Sequence, residues 1–451
     1  MHKHLAAGLC GLGLLAGPAL GQTSDLETEI DTMRRAYGVS GLAVTVVSGP
    51  DVVMARGFGS FESGEAGADS ACTLYSATKA LTALTLASLI EDGQVDLETP
   101  LGDLLADSPE AWADIPLWRL YNHTSGIAMI VNRDAFGAIA EDPDAGNAAI
   151  YEVVRELPLD FAPGEHSRYQ QSGYAVAEMI AEQRLGASWP ELVRRHLTGP
   201  AGAALTVHSE IADGTKNVPM ITSAGAYRTT PADMARLFQA LNAGRIADRA
   251  FVSGLLFDPR YIQDGYGLGV IVEETSGEMT LGHRGGGARA NIRYAPQSGI
   301  GVMACTDQIA NRELTIHVGE MVMNALISGE PPRPHIATLL YGSPDQSAAM
   351  LAGLFEQELN DPDTRYGFNG DEAVLNGLGY NLLEDAPEQA RILFELNSRV
   401  HPDSANVWDS LADAQLALGQ SDAALDSMRR ALSLQPANPY FQARVAEHAP
   451  E

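Results

Sequence analysis

Lysine is nearly missing from this 451-residue chain: it occurs at positions 3, 79 and 216, three times against 26 arginines. Basic charge is short overall, with 29 Lys and Arg facing 58 Asp and Glu for a formal net charge of -29. That balance excludes nucleic acid and anionic membrane surfaces as partners, because both would be repelled. Cysteine is scarce too, at positions 10, 72 and 305, so a scaffold built from disulfides is excluded. No His-Glu-x-x-His or clustered Cys/His pattern appears, and neither a metal nor a cofactor is expected. The N-terminus combines a basic start, an apolar stretch from Leu5 to Leu15 and the small-x-small site Ala19-Leu20-Gly21. It reads as an export signal over 1–21, too short and glycine-rich to span a membrane. An exported, periplasmic or secreted protein with no membrane span after signal removal is the expectation. Cys72 and Cys305 then remain. They could pair in an oxidising compartment, but their spacing does not require it, and free buried thiols are the default.

What is present reads as α+β. Gly41–Val47 and Asp51–Gly57 are strand patterns joined by the turn Ser48-Gly49-Pro50. Residues Ala77 to Asp92 read as a buried helix closed by Gly93. Helices and loops follow to about Gly244, and strand patterns return at Tyr266–Glu273, Met279–His283, Ala290–Tyr294 and Ile300–Cys305. The two ends of this region, 22–327, would build one antiparallel sheet flanked by helices, beside a helical subdomain. A Pro-rich linker occupies 328–345, and 346–451 carries only helical periodicity. Within it Trp408, Leu411, Ala412, Gln415, Gly419, Ala424, Met428, Ala431 and Pro436 fall on tetratricopeptide spacing, with a degenerate copy before them. So few copies should need a further surface, such as the helix around Ala348–Leu359, and the tail could bind a protein partner.

Ser76-Ala77-Thr78-Lys79 opens the buried helix, where residues three apart share a face. A serine nucleophile needs a base, and a desolvated lysine can serve where an arginine stays protonated. With lysine this rare, Ser-x-x-Lys is expected by chance roughly 0.2 times. Farther on, Tyr169-Gln170-Gln171 lies between a turn and a helix, and its phenol could shuttle protons while Lys79 stabilises the phenolate. Gly282-His283-Arg284-Gly285-Gly286-Gly287 follows a strand. Its glycines would let a substrate lie along the strand edge, and its backbone could complete an oxyanion hole. His123 reads as a structural residue of its turn, and His166 and His208 as surface residues.

These elements stand in the order Ser-x-x-Lys, Tyr-x-Asn, Lys-Thr-Gly of penicillin-recognising enzymes. With Asn122-His123-Thr124-Ser125-Gly126, Gly225–Asp233 and Tyr266-Gly267-Leu268-Gly269, they make residues 30 to 325 resemble the β-lactamase-related serine hydrolases, the class C branch most of all. The resemblance implies Ser76 as nucleophile, Lys79 as base, Tyr169 as proton carrier, and an oxyanion hole from the N–H groups of Ser76 and Gly286. It places Gln171, His283, Gly285 and Arg289 against the substrate, Arg289 as a carboxylate partner. Gln171 stands for the family's asparagine and His283 for its lysine, which removes a permanent positive charge. A small-molecule or peptide substrate, cleaved at an ester or amide bond, is therefore expected ahead of a β-lactam or a D-alanyl-D-alanine peptide. The remaining alternative is a catalytically weak protein that binds a partner through its tail.

Overall fold

The computed structural model describes residues 20–130, 137, 139, 146–207 and 221–449. The expected signal lies outside them apart from its last two positions, as do His208 and Lys216. The chain divides into two compact units, one of Ser40–Pro332 with the residues up to Thr28, the other of Glu29–Val39 with Arg333–Glu451. Helix α1 (Leu20–Ala36) contributes to both.

The first unit holds a seven-stranded antiparallel sheet of β1 (Gly41–Ser48), β2 (Asp51–Phe61), β3 (Gly64–Glu65), β7 (Ile271–Thr275), β8 (Glu278–Gly285), β9 (Ala290–Ala295) and β10 (Ile300–Cys305). Its order is β3-β2-β1-β10-β9-β8-β7. The two ends of the region meet where β1 pairs with β10, Ala43 opposite Cys305 and Ser48 opposite Ile300. β1 is buried from Gly41 to Val47, as its unbroken small and apolar run requires of a strand covered on both faces. Its one polar side chain there, Thr45, donates to the Pro231 carbonyl at 2.8 Å.

Two local expectations change. The strand expected from Tyr266 begins only at Ile271, because the backbone turns through Asp264, Gly265 and Gly269, all at positive φ. A Cβ at Gly269 would come within 2.9 Å of the Lys79 carbonyl, so the chain passes there directly against the helix that carries Lys79. A small sheet that the periodicity did not suggest also forms, from β4 (Cys72–Thr73), β5 (Thr206–Val207) and β6 (Tyr227–Thr229) in the order β4-β6-β5. Cys72 and Cys305 are joined in a disulfide, with Cα atoms 5.9 Å apart, and are not the free thiols of the default reading. Neighbours in space from opposite ends of the unit, they gave no sign in their spacing of 233 residues.

Helix α2 (Thr78–Glu91) is buried on every side from Thr78 to Leu89, the signature of a helix enclosed by other elements. It ends at Gly93, whose φ of 68° few other residues accept. Helix α3 (Ser172–Leu185) is likewise enclosed from Ser172 to Ala181. Both carry their chemistry at the N-terminal end.

The second unit is helical beyond residue 336. Tyr37 meets Tyr341 edge-on at 5.1 Å. Five helices follow one another after α6 (Ala348–Leu359): α7 (Asp371–Leu383), α8 (Pro387–Val400), α9 (Ala405–Ala417), α10 (Ser421–Leu434) and α11 (Pro439–His448). α6 packs on α8, with the Ala348 N–H donating to Gln389 at 3.2 Å. Small residues set the spacing: a Cβ at Gly379 of α7 would lie 2.4 Å from the Phe394 ring of α8. Ala390, Phe394, Leu411 and Ala414 fill one layer, and Ala412, Ala424 and Met428 another. No described helix is long and apolar enough to cross a membrane.

Candidate active site

Ser76 sits in a one-turn 3-10 helix, Tyr75–Ala77, that leads into α2. Tyr75 before it adopts φ 48°, a left-handed conformation that costs a bulky residue of order 1–3 kcal/mol and persists only where its surroundings enforce it. Those surroundings are identifiable. The Leu74 N–H donates to the Tyr227 carbonyl of β6 at 2.9 Å, and the Arg289 guanidinium lies 4.1 Å from the centre of the Tyr75 ring. The end of β8 presses on the same turn: a Cβ at Gly285 would fall 2.1 Å from the Leu74 carbonyl and 2.9 Å from the Ser76 nitrogen. Only glycine lets the two backbones approach so closely. Gly286, at φ 60°, faces the Tyr75 ring in the same way.

Lys79, one turn into the helix, has no exposed surface. Its Nζ donates to the Ala224 carbonyl at 2.8 Å and lies 4.8 Å and 5.0 Å from the ring centres of Tyr169 and Tyr174. Among the described residues no carboxylate forms an ion pair with it. Burial therefore holds its pKa well below the ordinary lysine range. Ala224 belongs to a short helix, α4 (Thr222–Gly225), whose position is set from beneath. The Ser223 N–H donates to Glu178 of α3 at 2.7 Å, and the Ser223 carbonyl accepts from Thr82 of α2 at 2.6 Å. Glu178 is itself buried, and desolvation raises its pKa.

Tyr169 keeps 44% of its surface exposed and opens onto the same cleft as Ser76. Burial raises the phenol pKa, and the neighbouring Ser76 and Gln171 side chains only partly offset it. The expectation of a lysine-stabilised phenolate is corrected accordingly: a lysine that burial drives toward neutrality supplies no charge to hold one. Gln171 precedes α3 and has its amide oxygen buried without a partner. His123, at φ 66°, packs its ring on Tyr169 at 4.5 Å, and its Nδ1 accepts from the Gln170 N–H at 3.4 Å.

His283 on β8 is 5% exposed. Burial depresses its pKa to about 3, so the ring is neutral. Nδ1 lies 2.6 Å from the Arg284 carbonyl and must carry the proton, which leaves Nε2 to accept from the Tyr266 hydroxyl at 3.1 Å. Ser76, Tyr169, Tyr266, His283, Gly285 and Gly286 open together onto a cleft of about 420 Å³, the size of a small-molecule site. Lys79 lies behind it. Arg289 does not reach it: 7% exposed, it donates from Nε to the Gly286 carbonyl at 2.9 Å and stacks on Tyr75. It braces the loop in place of facing a carboxylate.

Sequence reasoning missed Glu178, Ala224 and the hydrogen bond of Tyr266 to His283. A carboxylate in the apolar run of α3 was the one readable sign, since such a group needs a buried partner. Among the described residues no cluster of His, Cys, Asp and Glu could hold a metal.

The family model described as Beta-lactamase matches residues 26–313. Penicillin-binding protein 4 of Amycolatopsis lactamdurans is 26% identical over 325 residues, 61% of this chain and 82% of its own. The D-amino acid amidase of Ochrobactrum anthropi SV3 complexed with D-phenylalanine superposes with a TM-score of 0.55 at 20% identity, over 67% of this chain and 99% of that one. The octameric penicillin-binding protein homologue of Pyrococcus abyssi gives 0.55 at 21%, over 69% and 78%. At these identities the solved structures establish a shared fold.

Proposed function

We propose, for a chain that belongs to the Beta-lactamase family, that it cleaves ester or amide bonds through an acyl-enzyme on Ser76. The observation that carries this reading is the placement of Ser76 and Tyr169 on one cleft, with the Nζ of a buried Lys79 4.8 Å from the centre of the Tyr169 ring. The Ser76 proton passes to Lys79, directly or across the Tyr169 oxygen, as Oγ bonds to the substrate carbonyl carbon. The N–H groups of Ser76 and Gly286 hold the oxyanion, a role that fits the close approach of β8 to the Ser76 turn. The same proton then goes to the leaving group as its bond to carbon breaks. Water attacks the acyl ester, gives its proton to the same pair, and the acid departs with Ser76 restored.

The neutral His283 offers no permanent positive charge to a β-lactam carboxylate, which supports ester or ordinary amide substrates over penicillins. The disulfide supports an exported protein, since such bonds persist in oxidising compartments. The successive helices of the tail, with a small residue at each close approach, support a tetratricopeptide-like module that binds a partner.

Mass spectrometry after exposure to a fluorophosphonate, and separately to a penicillin, tests the reading. A single adduct from the first, absent in Ser76→Ala, is expected. Labelling by neither would favour a binding protein without catalysis, and rapid turnover of a penicillin would reverse the substrate order.

A further inference from the structure

The loop that delivers Tyr169 is laid onto the turn at 122–126 by backbone hydrogen bonds. The Asp160 N–H donates to the Gly126 carbonyl and the Gly164 N–H to the Thr124 carbonyl, each at 2.8 Å. The Arg168 N–H donates to the His123 carbonyl at 3.0 Å. The next bond in the series leaves the backbone: the Gln170 N–H donates to Nδ1 of His123 at 3.4 Å. Tyr169 is thereby bracketed, the residues on either side of it both held by His123. The imidazole also packs on the phenol, with ring centres 4.5 Å apart, against 6.0 Å for His283 and 6.2 Å for Tyr266.

His123 is 2% exposed and stands apart from the residues that line the cleft. Burial holds its pKa below the ordinary histidine value, so the ring is neutral. An Nδ1 that accepts leaves the proton on Nε2, which has no partner among the described residues. An apolar ring would avoid that unsatisfied buried donor, so packing alone does not explain an imidazole here. What the imidazole adds is an acceptor for the Gln170 N–H, on a backbone held left-handed at φ 66°. The same ring lies 5.5 Å from that of Tyr174, and Tyr169 and Tyr174 are the two rings beside the Lys79 Nζ.

We propose that His123 is a positioning residue for Tyr169, holding the phenol in register with Ser76 and Lys79 without touching substrate. This rests on the acyl-enzyme reading, in which Tyr169 carries protons. A phenol free to swing spends less time in the reactive geometry. The penalty grows with the leaving group's need for a proton.

The test measures kcat/KM on p-nitrophenyl acetate and on phenyl acetate, whose leaving group is the stronger base. It compares the protein with His123→Phe, His123→Asn, Tyr169→Phe and the two double variants. Phenylalanine keeps a ring and loses the acceptor; asparagine keeps an acceptor and tolerates the left-handed backbone. His123→Phe should lower kcat/KM roughly 10- to 100-fold on phenyl acetate and less on p-nitrophenyl acetate. His123→Asn should recover part of that loss, and it carries the comparison if the phenylalanine variant does not fold. In the Tyr169→Phe background neither substitution should cost anything further. Losses that multiply with that of Tyr169→Phe, equal losses on the two esters, or full activity in both His123 variants would overturn the inference and leave the acyl-enzyme reading standing. Turnover of neither ester by the unmodified protein would remove both.

Discussion

The Nζ of Lys79 donates a 2.8 Å hydrogen bond to the carbonyl of Ala224. A carbonyl accepts from an amine in either protonation state, so this bond fixes the lysine in place without committing it to the charged form. Position and basicity are thereby set by different groups, the first by Ala224 and the second by burial.

The rate should accordingly depend on a neutral Lys79. Because burial depresses its pKa, kcat/KM should rise with pH through a limb well below the ordinary lysine value of about 10.4 and level off above it. Lys79→Arg should lower kcat/KM by roughly 10²- to 10⁴-fold and erase that limb, since a guanidinium does not lose its proton. An unshifted limb in the variant would assign it to another group.

Glu178 should act on catalysis without touching substrate. Removing it leaves the buried Ser223 N–H unsatisfied, at a cost of about 1–3 kcal/mol in unfolding free energy. The Ala224 carbonyl should drift with it, and Glu178→Ala should reduce kcat by roughly 10-fold or more while KM changes little. Glu178→Gln retains an acceptor and should recover most of the rate. Equal losses in both variants would mean that the negative charge, and not the placement of Ser223, matters.

A pH effect on stability should come from Glu320, on helix α5 (Leu314–Ser328) behind β8. Burial raises its carboxyl from 4.5 to about 7, and its Oε2 has no partner. Between those values the unfolded chain has released the proton and the folded chain retains it. Stability is therefore fully present at the acid end and falls as pH rises, by about 3 kcal/mol in total, then stays level above 7. Urea unfolding of the protein and of Glu320→Gln at pH 5 and pH 8 would show it, the variant gaining relative stability at the higher pH.

Reduction of the Cys72–Cys305 bond reopens a loop of 233 residues. Replacing both by alanine should cost about 2–5 kcal/mol, read as a lower Tm under oxidising conditions and no difference in a strong reductant. Since Cys72 precedes Ser76 by four positions, the rate of fluorophosphonate labelling should fall as well.

Gly285→Ala tests the close approach of β8 to Ser76. A methyl 2.1 Å from the Leu74 carbonyl forces the Ser76 turn and β8 apart. Loss of one oxyanion donor is worth roughly 10²- to 10³-fold in kcat, and a loss of that size is expected here with the fold retained.

The hairpin, helix α2 and the sheet built from both ends of the unit were legible, because hydrophobic periodicity carries them directly. So was the Ser76/Lys79 pair, since the scarcity of lysine made it stand out. The geometry that tunes the pair was not. Ala224 acts through its backbone, which no side-chain pattern records, and Glu178 is coupled to Ser223 across 45 positions. Arg289 illustrates the same limit: it neighbours the glycine turn, and only the tertiary structure shows that it braces the loop through the Gly286 carbonyl and the Tyr75 ring. The two half-cystines gave no sign of pairing, because proximity in space leaves no trace in spacing.

Glu29–Val39 belongs to the compact unit completed by Arg333–Glu451. During synthesis this stretch leaves the ribosome near the beginning and waits for companions roughly 300 residues behind it. At translation rates of about 5–20 residues per second that is some 15 to 60 seconds. Over that interval Tyr37, buried in the finished fold against Tyr341, has no such neighbour to cover it. A chain interrupted at the Pro-rich segment would leave that early stretch permanently without its companions, so the tail is tied to the biogenesis of the whole molecule and not only to its finished form.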